Sequence, residues 1–137
     1  MASSEYEFDT SRLPIIVVTL PARLTLDVVH RAFDRFAELG TKHSRIAWVN
    51  DCRSLDAFSA PPVIRKAIAL RYQKNRPKIA RSTVCECRVF SSSVAYGFST
   101  AIDWLTSSDW PRANFMDMVT AEKWADEKLH GRTKTIA

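Results

Sequence analysis

Glycine is scarce in this 137-residue chain: there are three, Gly40, Gly97 and Gly131, and they lie far apart. A dinucleotide fingerprint and a phosphate-binding loop both need clustered glycines, so nucleotide binding by those routes is excluded. Also missing are a G-x-S-x-G nucleophile elbow, an H-E-x-x-H helix and a C-x-x-C pair. The longest apolar run, Ile15 to Val18 with Leu20 beyond Thr19, is far too short to cross a bilayer. The acidic start Glu5-Tyr6-Glu7 lacks the positive flank of a signal peptide. These absences together predict a soluble, cytoplasmic protein with no membrane span.

Cysteines number three, Cys52, Cys85 and Cys87, which argues against a disulfide framework. Cys85 and Cys87 fall on one side of an expected strand, but a zinc site wants four ligands. Neither Cys52 nor His30, His43 and His130 supply supporting spacing. The expectation is reduced, buried thiols acting as small hydrophobes, with no metal and no cofactor.

Hydrophobic residues make up 46% of the chain and charged ones 26%, values that exclude disordered and fibrous classes. At this length one domain spanning 1–137 buries a single core without staples, with short flexible ends expected at 1–3 and 132–137. Alternation from Glu5 to Asp9 predicts a half-exposed edge strand, and Ile15 to Leu20 a central one, the two forming an antiparallel hairpin. Thr25 is placed to cap a helix that Gly40 ends, with Val29, Ala32, Phe33 and Phe36 on its buried face.

Ile46 to Val49 reads as a strand buried on both faces, stopping at Asn50-Asp51. A polar loop then leads to Ser59, the expected cap of a helix from Ala60 to Asn75 that Pro77 closes. Thr83 to Phe90 predicts a strand with mixed faces. A third helix follows Ser91-Ser92-Ser93, with Val94, Phe98, Ala101, Ile102 and Leu105 at core spacing. A last strand over Phe115 to Val119 and a helix capped by Thr120 complete the chain. The fold class is therefore α/β: one mixed sheet, an N-terminal hairpin followed by parallel β-α-β crossovers, flanked by about four helices.

The loop beyond the central strand's carboxyl end is where such sheets meet ligands and partners. It carries Asp51, Arg53 and Asp56, the best acid and base candidates on the chain, although an Asp serving the turn with Arg53 paired to it explains them better. No activated nucleophile accompanies them, so the expectation is not an enzyme. Ser54 and Ser59 are candidate phosphorylation sites, because a phosphoserine at a helix start gains from the exposed N–H groups and the dipole, although a plain cap explains Ser59 better. Ser93 belongs to a second serine-rich helix start expected nearby, which makes a pocket under Ser59 and Ser93 the alternative site. Between Arg65 and Arg88 the chain carries eight basic residues and one acid, a net +7 that leaves the remainder at −2. Arg65, Lys66, Arg71, Lys74 and Arg76 make the second helix a basic surface suited to an acidic partner. Nucleic acid is disfavoured, because only Tyr72 interrupts that helix as an aromatic.

Several local patterns resemble one family. They are Leu13-Pro14-Ile15-Ile16-Val17-Val18, Trp48-Val49-Asn50-Asp51-Cys52-Arg53 and Ser59-Ala60-Pro61, then Ser93 with Ala101-Ile102-Asp103-Trp104-Leu105, and Ala121-Glu122-Lys123-Trp124-Ala125. In this order they resemble the STAS domains related to anti-sigma-factor antagonists (SpoIIAA-like, including the STAS/SEC14-like branch). The resemblance implies a non-enzymatic regulatory module that binds a protein partner, in some members a kinase-like regulator that phosphorylates a serine nearest to Ser59 here. Where signalling members carry Asp-Ser-Ser/Thr-Gly, this chain has Asp56-Ala57-Phe58-Ser59-Ala60. Other members imply the alternative, a sensor or carrier for a nucleotide or lipid-like ligand near Asp51, Ser59 and Ser93. The exposed first strand also offers a pairing edge to a second copy, as in a homodimer.

Overall fold

The computed structural model describes residues 4–56, 60–93, 96–97, 100, 103, 106 and 109–131. Five strands form one sheet in sequence order: β1 (Glu7–Asp9), β2 (Ile15–Thr19), β3 (Ile46–Asp51), β4 (Thr83–Val89) and β5 (Arg112–Phe115). β1 and β2 are antiparallel, and every later pairing is parallel, so the hairpin and crossovers expected from the sequence are present. Three helices are formed among the described residues: α1 (Leu26–Lys42), α2 (Pro62–Ile79) and α3 (Met118–Leu129). The additional helix expected after Ser93 rests on Val94, Phe98, Ala101, Ile102 and Leu105, which lie outside the described residues, as do the ends 1–3 and 132–137.

Strand alternation divides the core in two. Ile16, Val18, Ile46 and Trp48 point to the face covered by α1 and α2. Val17, Ala47, Val49, Cys85, Cys87 and Val89 point to the other, against Ala121, Ala125 and Leu129 of α3. The stripe Val29, Ala32 and Phe33 is buried as its spacing requires, and Phe36 packs edge-on to Trp48 with ring centroids 5.1 Å apart.

Several boundaries move from where the sequence put them. β3 does not stop at Asn50: it runs through Asp51, because Asn50 and Asp51 lie between Val18 and Thr19 on one side and Arg88 and Val89 on the other. Two parallel neighbours outweigh a turn preference. Gly40 does not end α1, which continues to Lys42 with His43 as C-cap. Its missing side chain serves packing instead, since a Cβ there would stand 2.3 Å from Ile79 Cγ2. Pro77 sits inside α2 rather than closing it; so near the end a proline forfeits one ladder bond, and the Ala80 N–H still reaches the Arg76 carbonyl at 2.9 Å. α2 starts at Pro62, two residues after the expected Ala60, with Pro61 as N-cap and no side-chain cap bond; Ser59, the expected cap, lies outside the described residues.

The last strand is Arg112–Phe115, not Phe115 to Val119. It is a half-buried edge, so its composition is too polar to announce a strand. Asp117, rather than Thr120, caps α3, its Oδ1 accepting from the Thr120 N–H at 2.8 Å.

Candidate functional site

At the carboxyl end of β3, Asp51 and Arg53 form the pair that the turn reading anticipates. Arg53 Nε and Nη2 donate to Asp51 Oδ1 and Oδ2, both at 2.9 Å, and the Arg53 N–H adds a bond of 3.1 Å. The Arg53 hydrogen bond holds the Asp51 carboxyl below its ordinary value. The pair uses both oxygens on its own loop. Ser91 Oγ donates to the Arg53 carbonyl at 2.9 Å, which brings the loops after β3 and β4 together. The Asp56 N–H is tied to the Ala22 carbonyl at 2.8 Å, while Ser54 and Ser93 are exposed.

The basic surface expected on α2 is divided. Arg71 pairs with Asp34 at 2.5 Å and Arg76 approaches Asp109 at 3.7 Å. Arg65 is half-buried, and Lys66 and Lys74 are exposed.

The densest polar chemistry lies elsewhere, beneath α2. Glu86 of β4 is buried, and its carboxylate accepts four donors. Oε1 takes the Tyr72 hydroxyl and the Trp110 indole N–H, the latter at 3.1 Å. Oε2 takes Asn50 Nδ2 and an Arg88 guanidinium N–H, both at 3.4 Å. Arg88 also donates to Asp103 at 2.6 Å, and Arg112 meets the same Asp103 oxygen at 3.1 Å. Arg112 stands over the Tyr72 ring, 5.5 Å from its centroid. Two carboxylates and two guanidiniums thus balance in charge.

Burial pushes the Tyr72 and Tyr6 hydroxyls up, with Glu86 adding to the effect at Tyr72. Burial likewise pushes the Cys52 thiol up to about 12. For Arg88 burial opposes the charge, but the Glu86 and Asp103 carboxylates outweigh it and raise its value.

This cluster forms the polar floor of a partly open cavity of about 90 Å³ between the sheet and the two helices. Asn50, Tyr72, Glu86 and Arg88 line the floor, and Leu20, Leu24, Leu55, Phe33, Phe36 and Phe90 the walls. Tyr6 closes one side, its ring edge-on to Phe36 at 6.3 Å. Asn75 of α2 also lines the cavity, donating from Nδ2 to the Phe33 carbonyl at 2.7 Å. The side-chain oxygens of Asn50 and Asn75 are buried without a hydrogen-bond partner.

The cavity adjoins the loop expected to matter, through Cys52 and Leu55, but not through Asp51, Arg53, Ser54 or Ser93. Sequence reasoning missed Glu86, Arg88, Asn50, Tyr72, Asn75 and Trp110 as a site. A signal existed in Glu86 and Arg88: they alternate with Cys85, Cys87 and Val89, so if those apolar residues face one helix layer, both charges must face the other.

No cluster of His, Cys, Asp and Glu able to hold a metal occurs among the described residues. Cys52 belongs to the α1–α2 core and Cys85 and Cys87 to the α3 core, so the three thiols do not converge. No helix of the described residues is long and apolar enough to cross a membrane. Comparison with known protein families, curated proteins and solved structures finds no match to this chain.

Proposed function

We propose that this chain is a non-enzymatic binding domain for a small, mostly apolar molecule, acting as a sensor or carrier. The observation that carries the reading is the cavity itself, whose apolar walls end in a pre-built, charge-balanced polar floor. Convergent polar groups at the base of an apolar recess fix a ligand's orientation. Binding is favoured over catalysis because the floor's groups are already committed: Glu86 to four donors, Arg88 to two carboxylates. Native mass spectrometry of the gently purified protein, followed by its denatured mass, tests the reading. A small-molecule adduct lost on denaturation, and absent from a folded Leu20→Trp variant that fills the cavity, supports it. A bare mass in both, with no thermal shift by phenol or toluene, refutes it.

A second reading, the STAS-type regulatory module implied by the resemblance, is favoured by the outer face of α2. Val63 and Leu70 are 57% and 61% exposed, and Lys66 and Lys74 recur on the same stripe. No acid lies anywhere on this helix. Such a face suits an acidic protein surface with an apolar centre, in an association that weakens with salt. A co-purifying protein released by salt and lost in Lys66→Glu/Lys74→Glu supports this reading. Retention of that protein by the charge-reversed variant removes α2 as its surface. A phosphate-sized mass increment mapped to Ser54 or Ser59 adds the phosphorylation switch.

A further inference from the structure

Two buried amides at the cavity have oxygens without a partner, and the inference from them rests on the small-molecule reading above. Asn50 and Asn75 are 6% and 1% exposed, and both line the cavity. Each amide's orientation is set by its nitrogen. Asn50 Nδ2 faces the Glu86 carboxylate and Asn75 Nδ2 the Phe33 carbonyl, so turning either amide over would set an acceptor against an acceptor. What remains on each residue is an oxygen with no partner, and a buried acceptor left in that state is costly. A ligand that brings a donor recovers the loss.

Charge narrows the class further. Glu86 and Asp103 are matched by Arg88 and Arg112, so the floor holds no unbalanced charge for an ionic ligand to meet. The walls are aliphatic and aromatic. At about 90 Å³ the cavity is smaller than the roughly 150 Å³ space that takes benzene in an engineered core, so it has room for one end of a molecule, with its open side left for the rest.

We propose that the cavity selects a neutral apolar group ending in a hydroxyl or N–H donor, received by the side-chain oxygen of Asn50 or Asn75. Phenol, toluene, benzoate and benzylammonium are probes that share one ring and differ in donor and charge. Each is titrated into the full chain labelled with ¹⁵N, following the side-chain amide signals of Asn50 and Asn75. Phenol is expected to saturate, to shift at least one of those signals, and to bind about fivefold more tightly than toluene, the advantage of one net hydrogen bond. Both charged probes should bind more weakly than phenol.

Asn50→Leu and Asn75→Leu are then compared separately. One of them should erase phenol's advantage over toluene; persistence of the advantage in both overturns the assignment. If either variant fails to fold, the ranking of probes on the native chain decides. Toluene binding as tightly as phenol, or a charged probe binding best, overturns the donor assignment and leaves the cavity reading standing. Binding by none of the four, with the cavity holding only water, overturns both.

Discussion

Replacing Glu86 by Gln removes one charge from a buried network and preserves its shape. Oε1 would still accept from Tyr72 and Trp110. The new amide nitrogen would stand where Oε2 now receives Asn50 and Arg88, setting donor against donor. Asn50 can turn over and offer its unpartnered oxygen to that nitrogen, which restores one bond. Arg88 cannot adapt in this way: it keeps Asp103 but loses its second carboxylate in a buried setting. Breaking a buried pair costs about 3–5 kcal/mol, and the Asn50 bond offsets about 1 kcal/mol, so a loss of about 2–4 kcal/mol is expected. For a domain of this size that corresponds to a fall in Tm of roughly 6–20 °C. Urea unfolding followed by tryptophan fluorescence reads the change directly, because Trp48 and Trp110 both line the cavity. Glu7→Gln, on the exposed side of β1, is the control and should stay within about 0.5 kcal/mol of the native chain. Adding Arg88→Met to Glu86→Gln should cost far less than the two single changes summed, since the surplus cation leaves with it. A Glu86→Gln protein as stable as the control refutes the view that this carboxylate organises the site.

Gly40→Ala should destabilise the protein by about 1–2 kcal/mol, although alanine favours a helix over glycine by about 1 kcal/mol, because its Cβ would meet Ile79 Cγ2 and Cβ at 2.3 and 2.9 Å. A stabilised variant in thermal unfolding would show that α1 and α2 separate freely there. Cys52 should resist thiol reagents at pH 8 in the native protein and react once it unfolds, since burial raises its value from 9.0 to about 12. The same shift makes stability fall as pH rises above 9.0, where only the unfolded thiol ionises, and level off beyond about 12; a urea series against pH, compared with Cys52→Ala, isolates it. Asp51→Asn should cost no more than about 1 kcal/mol at neutral pH, because Arg53 is half exposed. Asp51's value is lowered, so its contribution is present above 3.8 and is lost as pH falls through the folded value; the native and variant unfolding curves should converge in acid.

The sheet was legible because its strands are apolar at the period that burial demands. Ile15 to Thr19 and Ile46 to Val49 declare themselves, and the antiparallel start follows from the alternation of Tyr6 and Phe8 with acids. Boundaries were less legible, since they are settled by partners distant in sequence. Nothing near Gly40 says that Ile79 will press on it, and nothing near Asn50 says that Val18 and Arg88 will flank it. The site was obscured for a different reason. Polar residues are conspicuous in loops, where they are exposed, but the loop pair Asp51–Arg53 uses its own groups on itself. The groups with chemistry to spare, the Asn50 and Asn75 oxygens, sit on core faces of β3 and α2. Charge on the buried face of a strand is the more informative signal, because a fold retains it only where partners converge from several elements. Here those partners come from β3, α2, β4 and β5 with the segment before it, and the same convergence that satisfies Glu86 leaves the recess above it lined and open.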